Sequence, residues 1–74
     1  MAYRSDLLFE VFLPLFQRFD RGEIVEQAVP ASWNLQPGDR LEYEAGQNIS
    51  GTTEVVSVGE REGEDVLCTF RKVN

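Results

Sequence analysis

The stretch Leu35-Gln36-Pro37-Gly38-Asp39-Arg40-Leu41-Glu42-Tyr43-Glu44 decides how the chain is read. Pro37 presets φ for the first central position of a turn, and Gly38 can take the positive φ that a type II turn needs next. Beyond the turn, Leu41, Tyr43 and Ala45 alternate with Arg40, Glu42 and Glu44. That is the period of a strand with one buried face.

Working outward, the N-terminal side holds the most apolar segment, residues 6–20, after a polar lead. Leu7, Leu8, Val11, Phe12, Leu15, Phe16 and Phe19 fall on a helical period, which describes one amphipathic helix. Leu7, Phe9, Val11 and Leu13 equally fit a strand. Pro14 inside a helix costs about 3 kcal/mol, whereas at a first helical position it is favoured. Two readings therefore stand: one helix, or a strand over roughly 7–12 followed by a short helix from Pro14, the second preferred. Gly22 closes the helix, with Arg18 and Arg21 near its C-terminal end. Residues 23–29 read as a strand, and residues 30–34 as a loop in which Trp33 plugs the end of a small core.

On the C-terminal side, Gly46-Gln47-Asn48 makes a second turn and residues 51–58 a strand. An acidic loop over 59–65 leads to a last strand over 66–73, with Val66, Cys68 and Phe70 on one face. Strands spaced about ten residues apart with turns between them predict a small α+β barrel of about five strands and one short helix. Residues 1–74 are expected to form one domain.

The composition limits the chemistry. The 74 residues carry a net charge of −6 and no histidine. Without histidine, Ser-His and Cys-His nucleophile pairs and most transition-metal sites are excluded. The acidic balance disfavours direct binding to nucleic acid and to anionic membranes. Cys68, the only cysteine, is expected to pack as a small hydrophobe. No long apolar run marks a leader or a membrane span, so a cytoplasmic protein is expected. Glu60, Glu62, Glu64 and Asp65 lack the ligand spacing of a calcium loop. Ser32, Ser50, Thr52, Thr53 and Thr69 have no recognisable base beside them. No catalytic residue, metal or cofactor is expected.

From about Leu7 to Val73 the chain resembles the small ASCH-like proteins of the PUA superfamily, found in bacteria and their phages. The matching features are the apolar Leu13-Pro14-Leu15-Phe16 segment, the helix ending at Gly22, the hydrophobic-x-x-Gly-Asp-x-Leu turn at 35–41, the strand ending in Glu44 and a Ser50-Gly51-Thr52 corner. The resemblance implies a cleft lined by Trp33, Tyr43 and Arg40. The family's Gly-x-Lys-x-x-Glu-x-Arg signature keeps Gly22 but holds Ile24, Gln27 and Val29 at its charged positions. Thr52 replaces the arginine of the family's Thr-Gly-Arg corner. The cleft is thus expected to have lost the groups used for amidohydrolase chemistry or for phosphate contacts.

What remains is an acidic exterior: Glu23, Glu26, Glu42, Glu44, Glu60, Glu62, Glu64 and Asp65. The expected function is a non-catalytic protein-binding module meeting a basic partner surface. A phage-type inhibitor occupying the site of a host nucleic-acid-binding or defence protein by anti-CRISPR-like mimicry would work this way. The alternatives are an RNA or modified-nucleoside binder using Trp33, Tyr43, Arg40, Arg71 and Lys72, and, ranked last, an amidohydrolase relying on Lys72. A homodimer through exposed Leu8 and Phe12 is a further possibility.

Overall fold

The turn at Gln36–Asp39 closes as its residues dictate. The Asp39 N–H bonds the Gln36 carbonyl at 3.0 Å, and Gly38 takes φ +92°. The computed structural model describes residues 2–46 and 48–73, so Gln47 of the expected second turn lies outside the described residues. The elements in order are β1 (Tyr3–Glu10), α1 (Leu13–Asp20), β2 (Val25–Pro30), a 3-10 turn (Ala31–Trp33), β3 (Arg40–Glu44), β4 (Ser50–Glu62) and β5 (Asp65–Val73). They form an α+β fold with one five-stranded mixed sheet in the order β1-β3-β4-β5-β2. β1 runs parallel to β3, and the other three pairings are antiparallel.

Residues 6–20 divide into strand and helix; the single-helix reading is wrong. Phe12 is extended at ψ 155° and stands as N-cap, with Pro14 in the first helical turn. The helix ends in a Schellman motif: Gly22 has φ +82°, its N–H bonds Phe19 O at 2.9 Å, and Glu23 N–H bonds Arg18 O at 3.1 Å. β1 starts earlier than residue 7, because its N-terminal part is held by backbone pairing with β3, which side-chain pattern does not encode. The Arg40 N–H bonds Ala2 O at 2.7 Å.

Two C-terminal expectations also change. The acidic stretch 59–65 is the end of a β-hairpin, with Glu62 opposite Asp65 across a two-residue turn at Gly63-Glu64. Gly63 takes φ +63°, as the first central position of a II′ turn requires. This arm is solvated throughout, so no apolar alternation announces it. Ser50-Gly51-Thr52 is likewise no corner; it lies in β4, paired with Glu42–Glu44.

The sheet curls without closing into a barrel. Phe9 of β1 and Phe70 of β5 are separated by two intervening strands, roughly 14 Å across a flat sheet, yet their ring centroids lie 4.7 Å apart. Phe9, Val25, Val29, Leu41, Tyr43, Val55, Cys68 and Phe70 fill the concave side. The helix adds Phe16 and Phe19, whose rings lie 6.1 and 5.3 Å from that of Tyr43. Gly51 is required beneath this aromatic: a Cβ there would meet Tyr43 Oη at 2.7 Å. β1 and β2 remain at the two ends of the sheet and border an open seam.

Candidate functional site

The convex face of the sheet sorts its charges by rung. Arg40, Glu54 and Arg71 are cross-strand neighbours, and Glu54 bonds Arg40 at 3.3 Å and Arg71 at 2.9 Å. The bond from Arg71 chiefly holds the Glu54 carboxyl below its ordinary range. Arg40 is therefore a rung of this ladder; the depression it borders is shared with Ala2, Tyr3 and Gly38, not with Trp33 or Tyr43. Neighbouring rungs are uncompensated. Glu10 lies beside Glu44, both exposed, and the half-buried Glu42 accepts the Tyr3 hydroxyl at 2.7 Å.

The remaining cations are largely tied up as well. Arg4 pairs with Asp6 at 3.2 Å, and Lys72 with Asp20 at 3.0 Å. Arg18 and Arg21 converge on Glu23 at 3.1 and 2.7 Å. Glu23 is thus the capping partner of α1 and contributes little free negative charge; the Arg21 bond foremost pulls its carboxyl down. Among the described residues, six of the seven cationic side chains stand in ion pairs. The seventh, Arg61, donates its Nε to Gly63 O at 2.8 Å. Around it on the projecting hairpin lie Glu60, Glu62, Glu64 and Asp65, all exposed, and Glu26 is exposed on β2.

The expected cleft residues separate. Tyr43 is wholly buried under α1, because its strand parity points it inward and Phe16 and Phe19 cover it. Burial raises its phenol pKa. Trp33 is half-buried over the core, as a plug, and its carbonyl accepts Arg4 Nη1 at 2.8 Å. It borders the seam between β1 and β2, a groove of about 350 Å³ lined also by Leu8, Phe9, Glu10, Gln27 and Val29. Ile24 is 56% exposed and Val29 buried, and the seam takes Gln27 and Val29 but not Ile24. Leu8 and Phe12 are exposed; Phe12 flanks a second depression with Glu10 and Glu44.

Two of the hydroxyls considered as nucleophiles, buried Thr53 and half-buried Thr69, are engaged. Thr53 donates to Arg71 O at 2.7 Å, and Thr69 bonds Ser57 at 2.6 Å. The Lys72 ammonium is stabilised by its bond to Asp20, which raises its pKa; a nucleophilic amine needs the opposite shift. No three His, Cys, Asp or Glu side chains among the described residues are grouped to hold a metal ion. No helix among the described residues is long and apolar enough to cross a membrane. Glu10 and the Arg40–Glu54–Arg71 ladder escaped the sequence reading. Glu10 was hidden in an apolar segment, and the ladder depends on strand register. Comparisons with protein-family models, curated proteins and solved structures returned no match.

Proposed function

We propose that this chain is a non-catalytic protein-binding module that docks through its acidic surface on a basic, nucleic-acid-binding protein. One observation carries the reading: nearly every cation is consumed in an ion pair, while Glu10, Glu26, Glu44, Glu60, Glu62, Glu64 and Asp65 have no arginine or lysine against them among the described salt bridges. The ion pairs concentrate the net charge of −6 on the hairpin and on the β1–β3 surface. Such a field speeds encounter with a positive partner by about tenfold or more at low salt and sets its specificity.

In this reading the scaffold is an ASCH-like, PUA-type half-barrel whose signature positions Ile24, Gln27 and Val29 have lost their charge, and the surface does the binding. Charge mimicry of nucleic acid by a phage-type inhibitor is the biological form that fits. Direct RNA binding has little to rest on, since Arg40, Arg71 and Lys72 are all paired. An amidohydrolase would need Lys72 free of Asp20.

The test is affinity purification of the tagged chain from bacterial lysate, with mass spectrometry of stoichiometric partners. A basic nucleic-acid-binding protein is expected, released by about 0.5 M salt, where the Debye length falls to about 4–5 Å, and lost when Glu60, Glu62, Glu64 and Asp65 are replaced by Lys. Capture of no stoichiometric partner, or capture indifferent to salt and to those replacements, overturns the reading.

A further inference from the structure

The two outer strands of the sheet face each other across the seam, and their backbones are oriented toward it. In the parallel β1–β3 ladder Arg40 N–H bonds Ala2 O, the register shifts between Tyr3 and Leu8, and beyond that shift Val11 N–H bonds Glu44 O. This parity turns the peptide groups of Phe9 and Val11 toward β3, and directs the N–H and C=O of Leu8 and Glu10 away from it. On the other side, Ala31 N–H bonds Glu64 O. With the register Val29↔Val66 and Gln27↔Cys68, that bond directs the N–H and C=O of Glu26 and Ala28, and the C=O of Pro30, away from β5. The groove between them is about 350 Å³ and is lined by residues 8–10 on one side and 27–30 on the other. Three residues of extended chain span roughly 10 Å, which matches that length of edge.

The side chains around the seam differ by face. Inward lie Phe9 and Val29, both buried, with half-buried Trp33 and Gln27 beside them. On the convex face the seam is bordered by Leu8, Glu10, Glu26 and Ala28, with Glu44 next to Glu10. Arg4, at the Trp33 end, is paired with Asp6, and Arg71, on the strand beside Glu26, is paired with Glu54. An inserted strand would therefore meet an apolar environment at one parity and carboxylates at the other.

Resting on the reading of the chain as a protein-binding module, we propose that this seam takes up an extended segment of the partner protein as an added strand. The segment alternates apolar residues with Lys or Arg. The apolar set packs against half-buried Trp33 at the rim above Phe9 and Val29, and the cations lie between Glu10 and Glu26. Backbone bonds to Leu8, Glu10, Glu26 and Ala28 supply the affinity, as in other cases of strand addition. Because β1 and β2 are antiparallel to each other in the sheet, the new strand is parallel to one and antiparallel to the other.

The test uses the whole chain labelled with ¹⁵N and a capped peptide, Lys-Val-Lys-Val-Lys-Val, titrated to millimolar concentration. The expected result is amide shifts and new exchange protection at Leu8, Glu10, Glu26 and Ala28. Affinity should fall at least tenfold when alternate peptide nitrogens are methylated, when the peptide's Lys are changed to Glu, and in the exposed double variant Glu10→Lys/Glu26→Lys. Ala28→Pro, which deletes one edge N–H, should weaken binding without the charge change. Shifts confined to residues 60–65, or indifference to N-methylation, overturn strand addition and leave the acidic-surface reading standing. Concentration-dependent shifts at the same amides without peptide assign the seam to a second copy and overturn the proposal. Absence of binding overturns it too, while capture of a basic partner in lysate is scored separately.

Discussion

Asp39 Oδ1 accepts the backbone N–H of Ala2 at 3.1 Å, so the turn that launches β3 also holds the start of β1. The same carboxylate closes its own turn through Gln36 N–H at 2.9 Å. Gly38 N–H bonds Val55 O and Val55 N–H bonds Asp39 O, each at 2.8 Å. One short stretch thus ties together β1, β3 and β4.

Replacing Asp39 tests this junction. Asp39 is 4% exposed, and Asp39→Ala leaves the part-buried N–H groups of Ala2 and Gln36 without their charged acceptor. Urea denaturation should show a loss of about 2–4 kcal/mol. Asp39→Asn, which keeps one carbonyl acceptor, should lose less. Equal stability of Asp39→Ala and the parent chain would contradict the role.

Gly51→Ala probes the contact beneath Tyr43. The added methyl would sit 2.7–2.9 Å from Tyr43 Oη, Cζ and Cε2. Overpacking of this kind costs about 1–3 kcal/mol, read as a lowered urea midpoint. Thr52→Ala, one position along, should cost less, because Thr52 is only half-buried.

Trp33→Ala removes the plug at the end of the core. A half-buried tryptophan of this kind is worth about 2 kcal/mol, measurable by circular dichroism during thermal unfolding. Because Trp33 is the chain's single tryptophan, its fluorescence also reports directly on the seam, and peptide binding there should shift its emission.

Acid should loosen the fold through Glu54, Glu23 and Asp6. Bonds from Arg71, Arg21 and Arg4 respectively are the main cause holding these carboxyls below their ordinary values. A depressed carboxyl stabilises the folded state above its unfolded pKa and loses that contribution as pH falls through the folded one. Stability should therefore decline as pH falls from the ordinary carboxylate range downward. In Glu54→Gln the decline should be shallower. An unchanged acid profile in that variant would show that the ladder contributes nothing.

Cys68 should be unreactive in the native chain. It is 1% exposed, and burial pushes its thiol pKa up, so little thiolate forms at neutral pH. Alkylation by iodoacetamide should be slow in buffer and accelerate in urea in step with unfolding. Fast labelling of folded protein would contradict the buried placement.

Much of the architecture is legible in local chemistry. Pro37-Gly38 specifies its turn because glycine takes the required positive φ without steric cost, and Gly22 ends α1 for the same reason. Leu41 and Tyr43, like Cys68 and Phe70, announce buried faces by alternation. Less legible were the elements held from outside themselves. Tyr3–Ser5 are in a strand because β3 offers backbone partners. Glu60, Glu62, Glu64 and Asp65 lie on an exposed hairpin whose charged residues carry no periodic signal.

The candidate site divides along the same line. Residue types alone establish the acidic balance and the lack of histidine, because these are properties of composition. Which carboxylates remain uncompensated depends on register: Arg40 and Arg71 meet Glu54 only once three strands are aligned. Tyr43 goes to the core and Trp33 to the seam because α1 covers one and the curl of the sheet brings β1 toward β2 beside the other. That curl, visible in the Phe9–Phe70 contact, is a long-range packing outcome, and no local pattern of residues encodes it.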